Sequence, residues 1–120
     1  MGKVVAVRGA VKIKSDNAED LQFGVVSLFK EIRERNSFED QDIISLIISQ
    51  TEDLVSANPA SLLRKAMSSV DIPLFCVQEC KCENSMPRVI RFLLHVNVKE
   101  SITINHCYLH GAEKLRPDLV

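Results

Sequence analysis

One segment of this 120-residue chain combines an apolar run with an internal charge, and this combination constrains the fold more than any other feature. Residues 88–98 are largely apolar, which predicts a long strand buried on much of both faces. Arg91 lies inside the run, where a guanidinium needs an anionic partner or water. The sequence therefore predicts a sheet that holds Arg91 either at a functional site or beside a structural carboxylate such as Glu79.

The other elements follow from apolar spacing and from helix start signals. Apolar residues at helical intervals over residues 21–32 predict a first helix, with N-cap candidates at residues 15–17 and an end near Asn36. Asn58 before Pro59 predicts the start of a short second helix. Short apolar runs predict strands at 4–7, 42–50 and 73–79, with a candidate fifth strand at 102–109. The order β-α-β-α-β-β, with antiparallel pairing late in the chain, predicts an α+β fold with a mixed or antiparallel sheet.

The charge balance excludes a broad face for binding nucleic acid or membranes. Fifteen Lys and Arg residues nearly balance sixteen Asp and Glu residues, for a formal charge of −1. Residues 1–120 have the length of one domain, and they contain neither an apolar run of about 18–20 residues nor a signal peptide. We therefore expect one cytoplasmic domain with free thiols, in which any anion site is built locally from a few cations.

Four more charged residues stand at the margins of apolar segments. Arg8 ends the predicted first strand, Glu79 ends the run from residue 73, and Arg64 interrupts the apolar face of the second helix. Arg116 lies in a compact C-terminal segment. Each also fits a solvated surface position, because charged side chains are mostly exposed in folded proteins. None of them decides the function alone.

The cysteines and histidines form a competing pattern. Six of the seven could suggest a zinc site: Cys76, Cys80, Cys82, His106, Cys107 and His110. Their spacing lacks the Cys-x-x-Cys pair typical of zinc sites, and His106 and His110 lie in a segment that resembles a strand rather than on a helix face. We therefore expect no metal site, and Cys76 fits a small core residue better than a nucleophile. The sequence also lacks a Gly-rich phosphate loop and a legible catalytic triad.

Several short motifs stand in a characteristic order along the chain. They are Val7-Arg8-Gly9-Ala10; Thr51-Glu52-Asp53-Leu54 with Asn58-Pro59-Ala60 and Arg64; Cys76 with Glu79; Arg88-Val89-Ile90-Arg91; and Tyr108-Leu109 with Leu115-Arg116-Pro117-Asp118-Leu119. In order, spacing and total length they resemble the AroH class of chorismate mutases over essentially the whole chain. The Arg-Gly-Ala opening and the closing Leu-Arg-Pro-Asp-Leu are the most specific parts of the resemblance.

The resemblance implies a homotrimer that forms a pseudo-α/β-barrel, with sheets lining the core, helices outside and active sites in clefts between subunits. It implies the rearrangement of chorismate to prephenate, a step toward phenylalanine and tyrosine. This pericyclic reaction needs no cofactor, metal, base or nucleophile. It needs the enolpyruvyl arm held over the ring and stabilisation of the charge that develops on the ether oxygen. The absence of an acid–base constellation is what such a reaction predicts.

The family pattern also implies roles for individual residues. Arg91 resembles the catalytic arginine that donates to the ether oxygen, and Glu79 resembles the catalytic carboxylate that accepts the ring hydroxyl and orients Arg91. The substrate-binding positions are Arg8, Arg64, Phe75, Cys76, Tyr108, Leu115 and Arg116. Among these, Arg8 and Tyr108 would hold the side-chain carboxylate, and Cys76 would meet the ring hydroxyl.

The sequence departs from the family pattern at three positions. Asn58 stands where an aromatic residue is common, Ser61 where a cation is common, and Phe75 where a small residue is usual. Phe75 either replaces the missing aromatic wall or crowds the pocket. These departures leave open a non-catalytic trimer that binds a carboxylate ligand. An imine deaminase of the RidA type is a further alternative, against which the C-terminal motif argues.

Overall fold

The computed structural model describes residues 2–67, 71–99 and 102–119. Its strands are β1 (Gly2–Lys12), β2 (Ile43–Gln50), β3 (Leu74–Gln78), β4 (Val89–Lys99) and β5 (Cys107–Leu109), and its helices are α1 (Ala18–Arg35) and α2 (Pro59–Ala66). Short 3-10 turns lie at Asp40–Asp42, Ala112–Leu115 and Pro117–Leu119. A five-stranded sheet with two helices confirms the predicted α+β class. No helix of the described residues is both long and apolar enough to cross a membrane.

The strands form one mixed sheet in the order β3-β2-β4-β1-β5. The long strand β4 is central and pairs antiparallel with both β1 and β2. The two edge strands are parallel to their neighbours, β3 to β2 and β5 to β1. The apolar run around Arg91 therefore forms the middle of the sheet, as its composition predicts.

The first helix is set by its cap and by its apolar face. Asn17 is the N-cap, and its Oδ1 accepts the Asp20 backbone N–H at 2.7 Å, an interaction worth about 1 kcal/mol. The face that packs on the sheet is fully buried and consists of Leu21, Val25, Leu28, Phe29 and Ile32. This face is the one that the spacing predicts. Glycine at position 9 of β1 allows the helix to approach, since a β-carbon there would lie 2.9 Å from Ile32 Cδ1.

The second helix begins where the Asn-Pro pair predicts. The Asn58 Oδ1 accepts backbone N–H groups of Ala60 at 2.9 Å and Ser61 at 3.2 Å, and Pro59 occupies the first turn. Proline is favoured there because its missing N–H would have no partner inside the helix. The helix then buries Leu63 against the main core.

The two faces of the sheet have different environments. On β4, Ile90, Phe92 and Leu94 belong to the core shared with the helices. The alternating residues, among them Arg91 and Leu93, point to the opposite face, because successive strand residues alternate sides. We call this second surface the open face. Among the described residues, a small second core lies there, where Ala10, Val89, Tyr108 and Ala112 pack with Leu115 and Leu119 of the C-terminal segment.

Two strand boundaries differ from those predicted. β1 runs to Lys12 rather than ending at Arg8, because it pairs with β4 along its whole length, from Gly2 opposite Lys99 to Lys12 opposite Val89. Arg8 therefore lies inside a strand. β5 is shorter than the predicted 102–109. The backbone of Asn105 is bonded instead to the side chain of Asn36, at 2.8 Å for its N–H and 2.9 Å for its carbonyl.

Candidate active site

A cavity of about 320 Å³ lies on the open face and collects residues from four strands and the C-terminal segment. Its lining residues are Arg8, Gly9, Ile47, Ser49, Arg91, Phe92, Leu93, Tyr108 and Arg116. Three of the predicted arginines and the predicted tyrosine thus meet in one place. No acidic residue is among these lining residues, so the cavity suits a small ligand with more than one negative charge.

Arg91 is held by the carboxylate that the sequence offers as its partner. Its Nε donates to Oε1 of Glu79 at 2.6 Å, with the two side chains 41% and 20% exposed. The backbone N–H of Glu79 donates to the Gln50 carbonyl at 2.8 Å, which fixes the residue at the end of β3. The ion pair uses Nε, so the four N–H groups on the terminal nitrogens of Arg91 are not part of it. They are the groups that can bind a ligand in the cavity.

Arg8 is anchored by a histidine that sequence reasoning considered only as a metal ligand. The Arg8 backbone N–H donates to Nδ1 of His106 at 2.9 Å. Burial, followed by the charges of Arg8 and Arg116, lowers the pKa of His106 below its ordinary value. The imidazole is therefore neutral at pH 7, with Nδ1 free of a proton. In the sequence, the one indication that His106 lies near the site is its position two residues before Tyr108, and this indication is weak.

Arg116 reaches the cavity from the C-terminal segment with a carboxylate at its side. Its Nε and terminal nitrogen donate to the two oxygens of Asp118 at 3.0 and 2.8 Å. The bond to Asp118 raises the pKa of Arg116, and the same bond lowers the pKa of Asp118. Leu115 packs in the small core of the open face and does not line the cavity.

Besides Leu115, four predicted site residues do not line this cavity within this chain. Glu79 borders a separate cavity and is linked to this one through its bond to Arg91. The other three lie elsewhere. Arg64 is exposed on α2 and borders a separate small cavity with Phe29 and Leu74. Cys76 packs against the main core, and burial raises the pKa of its thiol, so the group stays protonated at pH 7. Phe75 is 66% exposed on the edge strand, beside Ile47 in the register of β2 and β3. A single chain therefore brings together only part of the predicted site.

The cysteines are free thiols in the described residues. Cys80 and Cys82 are exposed in the segment after β3, and Cys107 is buried in β5. Over residues 2–67, 71–99 and 102–119, no three His, Cys, Asp or Glu side chains are grouped as a metal ion would require.

Comparisons with known proteins agree over nearly the full length. The family described as chorismate mutase type I matches residues 4–119. The chain is 29% identical over 114 residues to "Chorismate mutase AroH" of Bacillus subtilis, covering 94% of this chain and 90% of that protein. It is 33% identical over 118 residues to "Chorismate mutase AroH" of Thermus thermophilus, covering 97% and 96%. Among solved structures, a chorismate mutase from Clostridium thermocellum superposes with a TM-score of 0.84 at 34% identity, covering 92% of this chain and 98% of that one.

Proposed function

Since this chain belongs to the chorismate mutase type I family, we propose that it converts chorismate to prephenate in the cavity on its open face. It is a chorismate mutase, an isomerase of aromatic amino acid biosynthesis. One observation carries the assignment of the site: Arg8, Arg91 and Arg116 border one cavity, with Arg91 fixed by Glu79. The RidA-type deaminase and the non-catalytic alternative are not favoured, since the three relatives reported above are each named chorismate mutase.

The reaction sets simple requirements for such a site. Chorismate is a dianion, and its rearrangement breaks a C–O bond while forming a C–C bond without proton transfer. The enzyme must hold the side chain over the ring, so that the reacting carbons meet. It must also bind the transition state more tightly than the ground state. A cavity with three guanidinium groups and no acidic lining residue fits the charge of this substrate.

Arg91 is the proposed catalytic cation. Its terminal nitrogens would donate to the ether oxygen, which gains negative charge as the C–O bond breaks. The bond to Glu79 holds the guanidinium before substrate arrives, and a preorganised donor costs no reorganisation during the reaction. This donor is therefore worth more in the transition state than in the ground state.

Glu79 has two proposed tasks. Its Oε1 orients Arg91, and its other carboxylate oxygen is available to accept the ring hydroxyl of chorismate. Because Glu79 is partly buried at the end of β3, its position is set by the sheet and not by a long flexible segment.

The remaining lining residues are proposed to bind the two carboxylates. Arg8 and Tyr108 lie on adjacent strands, and Tyr108 is opposite Ala10, two residues from Arg8. Together they would hold the side-chain carboxylate. Arg116 would add charge at the mouth, while Leu115 fixes the C-terminal segment on the open face.

A homotrimer is the proposed functional state, with the cavity completed by a neighbouring subunit. The open face leaves apolar side chains in water, with Val4 60% and Phe75 66% exposed, and burial of such groups favours association. Arg64, Cys76 and Phe75 lie outside the cavity of their own chain, and in a trimer they would contribute to the cavity of a neighbour.

We further propose a cytoplasmic location, which free thiols suit.

A spectrophotometric assay of chorismate loss tests the proposal. We expect purified protein to consume chorismate and form prephenate, and a bicyclic dicarboxylate that mimics the transition state to inhibit competitively. Protein that binds this mimic without turnover would contradict the catalytic assignment. Inhibition that persists unchanged in an Arg8→Ala protein would contradict the location of the site.

A further inference from the structure

A second cavity, which we call the α1 groove, lies between the first turns of α1 and the ends of three strands. It has a volume of about 550 Å³ and shares no lining residue with the candidate active site. The polar and aromatic residues that line it are Lys12, Lys14, Asp20, Phe23, Arg88 and His110. Its size is within the range of small-molecule sites.

The groove has an aromatic wall that the fold does not require. Phe23 is 65% exposed although the buried face of α1 lies on its other side. Its ring stacks on His110, with centroids 5.7 Å apart and an interplanar angle of 27°. An exposed aromatic pair adds little to the core and offers a flat surface on which another ring can stack.

The groove also collects cations that other residues do not neutralise. Lys12, Lys14 and Arg88 line it, and within the described part of the chain none of these three forms a salt bridge. Asp20 is the acidic residue among those that line the groove. With three cations and one acidic residue, the groove is net positive and favours an anionic ligand.

Arg88 has an unusual backbone conformation and is held in place by hydrogen bonds. Its φ is +53°, a region that residues other than Gly, Asn, Asp and His rarely adopt. Its Nε donates to the Ile13 carbonyl at 3.0 Å, and its own carbonyl accepts the Ile13 N–H at 2.7 Å. His110 also has a positive φ, of +55°. Residues strained in this way cluster at functional sites, and Arg88 borders this groove.

We infer that the α1 groove binds a small aromatic carboxylate. The ring would stack on Phe23 and His110, and the carboxylate would face Lys12, Lys14 and Arg88. The inference does not depend on the assignment of the candidate active site, because the two cavities have no lining residue in common.

Residue-resolved NMR titration of the whole protein with 3-phenylpropionate tests the inference. We expect saturable shifts at the backbone amides of Lys14, Phe23 and His110. Two probes separate the contributions of ring and charge: 3-phenylpropanol has the ring without the charge, and 3-cyclohexylpropionate has the charge without the aromatic ring. Each should bind at the groove more weakly, by roughly threefold to tenfold. Equal binding of all three probes would overturn the inference.

Substitutions at exposed groove residues provide a second test of the inference. Phe23→Ala and Lys14→Ala should each weaken 3-phenylpropionate binding by roughly threefold to tenfold, whereas Lys30→Ala, an exposed lysine on the same helix, should not. The spectrum of each variant reports its folding, and its turnover of chorismate is measured separately. Shifts confined to residues of the active-site cavity, or unchanged affinity in the Phe23→Ala protein, would refute the groove as a site whatever the catalytic activity.

Discussion

The Nε of Arg91 lies 2.6 Å from Oε1 of Glu79, although the strands nearest to them in sequence are not neighbours in the sheet. Arg91 is on β4 and Glu79 follows β3, with β2 between them. The ion pair therefore reaches across a strand on the open face. It satisfies a charge in the middle of the sheet and leaves the terminal nitrogens of the guanidinium for a ligand.

Removal of the Arg91 side chain tests its catalytic role. We expect Arg91→Ala to lower kcat for chorismate by roughly 10²-fold or more, because the developing charge on the ether oxygen loses its donor. Arg35→Ala, which removes an arginine from the exposed surface of α1, is the matched control and should leave kcat unchanged. A fall in kcat of less than about tenfold in the Arg91→Ala protein would rule out the proposed role.

Neutralising Glu79 tests whether the carboxylate positions Arg91. Glu79→Gln keeps an oxygen acceptor but loses the charge, so we expect kcat to fall by roughly tenfold and KM to change less. Steady-state kinetics with chorismate measure both. Glu83→Gln, at an exposed position in the same loop, is the control. If only KM rose, Glu79 would bind substrate without aiding the chemical step.

The oligomeric state tests the shared cleft. Sedimentation equilibrium should give a particle of about 40 kDa, since the proposed assembly contains three copies of a 13.5 kDa chain. Val4→Asp places a charge on the open face and should shift the protein toward monomer and lower its turnover. Val55→Asp, at a loop valine that is 79% exposed, should change neither property. A fully active monomer would exclude the shared cleft.

The neutral state of His106 predicts how stability depends on pH. Its pKa in the folded protein lies below the ordinary value of about 6.5. As pH falls, His106 is therefore protonated at a higher pH in the unfolded chain than in the folded protein. The contribution of His106 to stability is present above pH of about 6.5 and is lost as pH falls toward the lower folded pKa. Urea unfolding at several pH values and fixed protein concentration measures this effect.

A variant that cannot titrate isolates the contribution of His106. His106→Asn offers an oxygen acceptor for the Arg8 N–H and should make the free energy of unfolding depend less on pH between about 5.5 and 7.5. His110→Asn, at an exposed histidine, is the control. An identical pH dependence in the wild-type and His106→Asn proteins would contradict the prediction.

Asn58 is both the N-cap of α2 and one of the departures from the family pattern. Asn58→Ala removes the α2 cap and should lower the free energy of unfolding by about 1 kcal/mol. Asn58→Phe removes the same cap but restores the aromatic residue common in the family, so we expect a similar loss of stability with a lower KM for chorismate. Urea unfolding and steady-state kinetics check the two effects, with Ser61→Ala as the control on the same helix. A variant as stable as the wild type would show that the cap is not needed.

Local signals predicted the helices and part of the site because the interactions that fix them are short in sequence. Asn17 and Asn58 bond to N–H groups two or three residues away, and the buried face of α1 follows from helical spacing alone. Arg91 and Glu79 could be paired from the sequence because a charge in an apolar run needs a partner and a carboxylate ends the preceding strand.

Other features depend on pairing between distant segments. Nothing near Arg8 predicts that β1 continues to Lys12, because the pairing with β4 decides it. His106 meets the Arg8 N–H across 98 residues of sequence, and only the parallel pairing of β5 with β1 brings them together.

The sequence by itself determined the α+β order, the helix caps and the family, because capping, apolar periodicity and a distinctive set of motifs are properties of neighbouring residues. Tertiary structure alone decided which arginines share a cavity. Arg8 and Arg91 converge because strand register places them on one face of the sheet, where the C-terminal segment adds Arg116, whereas Arg64 lies on a helix outside that cavity. Register is set by long-range hydrogen bonding and burial, and a shift by one residue would turn each of these strand side chains to the other face.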